Sequence, residues 1–294
     1  MKEIGYTNNF EIIKKISEQS PEINRAVTGH NELTANDQGI VYGYACDETP
    51  ELMPLPIMMA HKLMSKFEQW RRTRKPMDFF SDAKSQVSIE YKNDEPVAIH
   101  TILVSVSHHP SLSCTSIFNL VEKNVIDVVL SDKSFSHLDK SNMRLIINPS
   151  GAFTIWGSFS DSGCVGRKII VDTYGGQRVG GGAFSSKNAT KIDRSGAYYA
   201  RFVAKNIVAK GMARKCEVQV AYAIGMPEPL KVNIDCFGTN NVSVEEIYAY
   251  VNSNFNFRPA NMIKELDLLR PIYKATACYG HFGRSEFPWE KVKK

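Results

Sequence analysis

A hairpin, a helix and a glycine turn occur in that order twice along this chain, and this repetition restricts the fold more than any single motif. Alternating apolar residues at 86–91 and 97–106 flank Asn93-Asp94 and read as a β-hairpin. An amphipathic helix is expected over 115–130, with Ile117, Leu120, Val121, Val125 and Val128 along it, and a glycine turn follows at Gly151. The same order returns as a hairpin at 217–225 and 231–237, a helix with a Ser243/Glu246 capping box that buries Ile247, Tyr250 and Val251, and a turn at Gly280. The offset is about 130 residues each time, which predicts two copies of one α+β unit. A short helix over 9–18, carried by Phe10, Ile13 and Ile16, and a glycine-punctuated strand over 37–45 read as the tail of a third copy. The hairpin of that copy would precede Met1.

The remaining elements follow from local signals. The Gln19-Ser20-Pro21 stretch ends the first helix, because proline disfavours helical backbone in the residue before it. A polar loop is expected over 28–36. A long helix over 54–72 opens on proline and places Ile57, His61, Met64 and Phe67 on one face. Strands are expected at 152–156 and at Ile169-Ile170-Val171, a β-branched run that reads as buried. A helix entered near Lys191 and Asp193 runs to about residue 210 and stops at Gly211, a suitable C-terminal cap. A short helix is expected near 263–269.

Length and charge narrow the class. A chain of 294 residues suggests more than one domain, and 43% apolar with 23% charged residues is ordinary for a globular protein. The net charge of +5 is spread along the sequence, which disfavours general nucleic-acid binding and allows a local anion site. Six separated cysteines form no CxxC pair and read as reduced, mostly buried thiols of a cytoplasmic protein. No leader or 18-residue apolar run is evident, so no membrane association is expected.

Chemistry concentrates between Arg167 and Asp193. Five glycines (Gly175, Gly176, Gly180, Gly181, Gly182) let the backbone approach a ligand, while Arg167, Lys168, Lys187 and Lys191 supply cations. Exposed N–H groups, converging cations and a helix start suit a polyphosphate, and Asp193 could carry the accompanying Mg²⁺. Ser186 and Asn188 flank Lys187 where a Walker loop would require other residues. The competing reading is a glycine-rich turn with solvated lysines. Taken alone, Asp82-Ala83-Lys84 reads as a strand-edge ion pair in preference to a site, and Phe153 as core. His108-His109 is discounted as a metal pair because adjacent strand residues face opposite ways.

The segments GGGAFSSKNATKIDRS (180–195), DQGIVYGYA (37–45), GRKIIVDTYGG (166–176) and YGHFGR (279–284) together resemble the S-adenosylmethionine synthetases. The resemblance covers nearly the whole chain. It implies three similar α+β domains around a pseudo-threefold axis, the first truncated here by roughly 75 residues, about half a domain. The expected division is 1–35 as a remnant with a mobile loop, 36–155 as the central domain and 156–294 as the C-terminal domain. It also implies synthesis of S-adenosylmethionine from ATP and L-methionine, with Mg²⁺ and K⁺, by a homodimer or tetramer.

Carried over by position, Lys84, Arg167, Lys168 and Lys187 resemble triphosphate-binding cations, and Lys191 a lysine shared with the methionine end. Phe153, with Ala83, Ala152 and Ala183 beside matching segments, resembles the nucleoside contacts. Asp82 and Asp161 resemble carboxylates around nucleoside and methionine, and Gln19, Asp37 and Ile224 match methionine-side positions. Asp193 matches a Mg²⁺-associated carboxylate.

Ser186 departs from a usual glycine, Asn188-Ala189 from Asp-Pro, and Trp156 from a glycine beside the adenine pocket. The His-Pro-Asp-Lys segment of the family, with its histidine, aspartate and glutamates, has no counterpart. Activity is therefore expected to need that segment from a separate polypeptide, the alternative being a silent nucleotide- or tripolyphosphate-binding subunit paired with a complete synthetase.

Overall fold

Two three-stranded sheets, each covered by a long helix, make up the regular structure of the computed structural model, which describes residues 4–6, 9–18, 20–22, 25 and 32–293. In chain order the elements are β1 (Gly39–Cys46), α1 (Leu55–Thr73), β2 (Phe79–Lys92), β3 (Glu95–His108), α2 (Cys114–Val121), α3 (Asp127–Leu130) and β4 (Arg144–Ile147). There follow α4 (Ile169–Asp172), α5 (Ile192–Ala209), β5 (Lys215–Tyr222), β6 (Lys231–Asp235), α6 (Val244–Asn254) and α7 (Pro259–Glu265). The architecture is α+β. The chain divides into two units, Met1–Lys14 with Leu55–Cys164, and Lys15–Pro54 with Val165–Lys294.

In the first unit β2 and β3 form an antiparallel hairpin, and β4 pairs parallel to β3. Asn93 and Asp94 both have positive φ (52° and 67°), the backbone a two-residue hairpin turn requires. The parallel strand needs a crossover, which α2 and α3 supply. Leu55, Met59, Leu63 and Phe67 of α1 recur every four residues and bury against Ile102, Val104 and Val106 of β3. The centre of that helix face thus lies one side of the stripe expected from Ile57, His61 and Met64. The helix expected over 115–130 forms with a π segment, Glu122–Ile126, in its middle. One extra residue in that turn brings Val129 into the core and leaves Val128 42% exposed.

The second unit is the sheet β1-β5-β6, antiparallel throughout, with α5 laid across it. Backbones meet there: a Cβ on Gly43 would lie 1.9 Å from the Ala200 carbonyl carbon, so β1 accepts only glycine at that crossing. The buried α5 carries Arg201 and Lys205, whose charges meet Glu290 at 2.9 and 2.8 Å. Gly211 takes φ +69° just past α5, and Ser243 and Glu246 make both bonds of the capping box on α6. Both units therefore contain a long helix, a hairpin and a further helix in the same order. The paired glycine turns take φ +85° at Gly151 and +73° at Gly280.

Several local expectations are corrected. Described residues 9–18 form no helix, and Ile13 and Ile16 are exposed. So short a segment is marginal without a surface to pack on. Residues 152–156 are not a strand, and Ile169-Ile170-Val171 form a single exposed helical turn rather than a buried strand. The β-branched run has no neighbouring strand, so its propensity gives way to local Asp172 N–H to Lys168 carbonyl bonding. The last helix is α7, which starts on Pro259 and ends before residue 269. Cys114, Cys164 and Cys278 are exposed, so only half of the thiols are buried. Among the described residues no helix is long and apolar enough to cross a membrane.

Candidate functional site

In the first unit β2 presents Asp82, Ala83 and Lys84 beside an irregularity in its pairing with β3 between Phe79 and Ala83. Lys84 is exposed. Asp82 anchors a loop: its Oδ2 accepts from the Gly157 amide at 2.9 Å, and its carbonyl accepts from Ser107 Oγ. Phe153, half-buried, is held by both backbone groups on His108. Its amide donates to His108 Nε2 at 3.0 Å, and its carbonyl accepts from the His108 amide at 2.9 Å. Nε2 must then be unprotonated, so the ring proton sits on Nδ1 and points at the His109 carbonyl.

Ala152 is exposed beside Phe153. Trp156 stacks on Phe80 with centroids 4.8 Å apart and rings 7° from parallel, and Tyr6 meets it edge-on. Asp161 is exposed in the following loop.

The second unit gathers more of the expected residues. Lys187 Nζ lies 3.1 Å from Asp193 Oδ2. The glycine loop presses on that carboxylate: a Cβ on Gly182 would sit 2.5 Å from Asp193 Oδ1. Gly166, next to the exposed Arg167-Lys168 pair, comes so near Ala183 that a Cβ there would meet the Ala183 Cβ at 3.0 Å. The 166–168 turn, the glycine loop and the start of α5 are thereby drawn together. Tyr42, Ile169, Ile170, Thr173 and Gly180–Gly182 line a cavity of about 300 Å³ alongside.

The methionine-side candidates of this unit also converge. Lys191 supplies no side-chain cap to α5, and Asn36 Oδ1 caps it instead, accepting from the Ile192 amide at 2.7 Å. Asp37 is the next residue and is exposed. Its segment is tied to the loop carrying Ile224 by Ala35 N–H to Met226 O and Gly225 N–H to Ala35 O, each 3.0 Å. Asp37, Lys191 and Ile224 therefore surround one segment. Gln19 lies outside the described residues.

Neither Asn36 nor Arg194, which holds the Lys187 carbonyl at 2.8 Å, stood out in the sequence. Asn36 caps a helix 156 residues away, and no local pattern could reveal it.

A resident metal would find little here. Among the described residues no three His, Cys, Asp or Glu side chains approach closely enough to hold an ion. A single carboxylate such as Asp193 fits Mg²⁺ only when ligand phosphates complete the shell, which is the usual manner of that ion.

Residues 32–153 match the family model for the S-adenosylmethionine synthetase central domain, and residues 155–291 the model for its C-terminal domain. The S-adenosylmethionine synthase of Sorangium cellulosum (strain So ce56) is 46% identical over 305 residues, covering 99% of this chain and 71% of that protein. The family boundaries assign 32–54 to the central domain, whereas β1 pairs with β5 and places those residues in the second unit.

Proposed function

Because the chain belongs to the S-adenosylmethionine synthetase family, we propose that it acts in the transfer of the adenosyl group of ATP to L-methionine, a methionine adenosyltransferase reaction. In that reaction the methionine sulfur attacks the ribose C5′ and the triphosphate departs, later to be hydrolysed to pyrophosphate and phosphate. The observation that carries the reading is the Lys187–Asp193 pair against the glycine loop, on which the turn before the exposed Arg167-Lys168 pair packs through Gly166 and Ala183.

Charge moves onto the triphosphate as the bond to C5′ breaks, so fixed cations act more strongly in the transition state than in the ground state. We assign Lys84, Arg167, Lys168 and Lys187 to that task. Asp193 would hold Mg²⁺, which when bound neutralises phosphate charge; no residue of this chain is assigned to K⁺. Phe153, with Ala83, Ala152, Ala183, Asp82 and Asp161, is assigned to the nucleoside, the bond network of His108 fixing where Phe153 stands. Lys191, Asp37, Ile224, Gln19 and Asp161 are assigned to methionine. We read the domains as 1–35, 36–155 and 156–294 within the threefold family arrangement, and the setting as cytoplasmic.

A second reading is a tripolyphosphate-binding subunit without turnover, for which the exposed Arg167-Lys168 pair and the Lys187–Asp193 pair would serve equally. Calorimetry with tripolyphosphate and Mg²⁺ tests the phosphate site: Lys187→Ala should weaken binding by about 2 kcal/mol, the scale for hydrogen bonds to charged groups. Unchanged affinity would remove Lys187 from the site. A product assay with ATP, methionine, Mg²⁺ and K⁺ then separates the readings. It is run on the chain alone and after co-expression with a family N-terminal segment. Product only on co-expression supports supply of that segment in trans; binding without product in either arm supports the silent subunit. Full turnover by the chain alone would refute both dependences.

A further inference from the structure

Behind the glycine loop of the second unit lies a buried polar chain to which no role has been given so far. Arg194, 5% exposed in the first turn of α5, donates from Nη1 to the Lys187 carbonyl (2.8 Å), from Nη2 to Thr276 Oγ1 (3.1 Å) and from Nε to the Tyr198 hydroxyl (3.0 Å). Its guanidinium also lies over the Tyr273 ring at 4.2 Å. All three of these acceptors are neutral, and no ion pair of Arg194 within 4.0 Å is found among the described residues. Asp172 is the carboxylate that feels its charge, but the direct bonds of the guanidinium all go to neutral acceptors and fix its geometry.

The Tyr198 hydroxyl, accepting from Arg194, also shares a hydrogen bond with His281 Nδ1 at 2.7 Å. His281 in turn grips α4: its amide donates to the Asp172 carbonyl at 2.9 Å and its Nε2 faces Asp172 Oδ1 at 3.9 Å. That turn of helix begins immediately after Arg167-Lys168. The glycine loop is anchored on the same residues a second time, because the buried Phe184 ring meets Tyr198 at 5.3 Å and His281 at 4.9 Å, both edge-on. One buried unit thus touches Lys187 through its carbonyl, the loop before it through Phe184, and the segment after Arg167-Lys168 through Asp172.

We propose that Arg194, acting through Tyr198 and His281, is a positioning residue that fixes the Lys187 loop and the Arg167-Lys168 turn in one register for a polyphosphate. This rests on the assignment of Lys187 to phosphate. Arg194 itself is buried behind the loop and does not touch the ligand. Its effect is to hold the Lys187 main chain, and so the direction in which Nζ leaves it, before the ligand arrives.

Tyr198→Phe tests this with little disturbance, because the ring keeps its stacking on Trp289 at 3.8 Å while the shared hydroxyl is lost. Calorimetry with tripolyphosphate and Mg²⁺ is run on the unaltered chain, Tyr198→Phe, Lys187→Ala and the double variant. Tyr198→Phe is expected to raise Kd about 10-fold, and by clearly less once Lys187 is Ala, the remainder being its hold on the Arg167-Lys168 turn. Three results would overturn the proposal. If Lys187→Ala weakens binding but Tyr198→Phe does not, the positioning role fails and the phosphate site stands. If Tyr198→Phe weakens binding equally in both backgrounds, its effect is general loosening. If Lys187→Ala is without effect, the phosphate assignment fails and takes this inference with it. Should Tyr198→Phe not fold, as judged by circular dichroism, Thr276→Val removes the Nη2 acceptor, together with the hydroxyl's bond to the Tyr273 carbonyl, and runs the same cycle.

Discussion

Replacing Glu290 by Gln should destabilise the second unit by about 3 kcal/mol, the lower end of the range for breaking a buried ion pair. The carboxylate is wholly buried and accepts from Arg201 Nε and Nη2 (3.1 and 2.9 Å), Lys205 Nζ (2.8 Å) and the Gly283 amide (2.8 Å). Glutamine keeps the size and one acceptor oxygen but leaves two cations without a counter-charge. The loss falls short of the upper limit for a structural reason. Arg201 still donates to the carbonyls of Tyr44, Leu52 and Glu51 at 2.7–2.9 Å, and Lys205 retains some exposure to water. Burial alone would push the Glu290 carboxyl up, but the opposing charges and hydrogen bonds of Arg201 and Lys205 outweigh it and hold it below the ordinary value of 4.5.

A carboxyl depressed in the folded state contributes stability that is fully present above the unfolded value and is lost as pH falls through the folded one. The gap between the two proteins should therefore hold from neutrality down to about pH 4.5 and close below it. Hydrogen exchange of α5 peptides against urea reads this unit by itself. A cost under about 1 kcal/mol at pH 7, or a gap that persists at the lowest pH, would refute the reasoning.

Two other outcomes follow from particular positions. Ser186 holds φ +69°, where glycine is at ease, so Ser186→Gly should stabilise by about 0.5–1 kcal/mol after glycine's entropy cost, read as a raised urea midpoint; a lowered midpoint would count against it. The homodimer or tetramer that the family resemblance implies predicts at least a dimeric mass by light scattering at micromolar concentration, and a monomeric one would refute that.

The sequence made legible whatever is set by local pattern. The limits of α5 follow from Gly211, the capping box from Ser243 and Glu246, and the first hairpin from Asn93-Asp94. The Lys187–Asp193 pair was likewise visible as cation and carboxylate beside a glycine loop. What failed depends on partners far along the chain. Ile169-Ile170-Val171 have strand propensity and no strand to pair with, and residues 9–18 have helical spacing and no surface to bury it. Asn36 and Arg194 matter through residues to which no short window connects them, including Thr276. Ser186 departs from the glycine that the resemblance implies, and its backbone angle shows what that departure costs.

The pairing of β1 with β5 also sets an order of events during synthesis. Gly39–Cys46 must wait for Lys215–Tyr222, so roughly 170 further residues are translated before its partner exists, about 10–30 s at ordinary elongation rates. Over that interval the first unit's sheet, all of whose strands lie between residues 79 and 147, can emerge and close. Meanwhile β1 carries Val41, Tyr44, Ala45 and Cys46, all buried in the finished unit, on an unpaired strand. Newly made chains should thus pass through a prolonged stage in which this strand is the part most in need of a chaperone's protection.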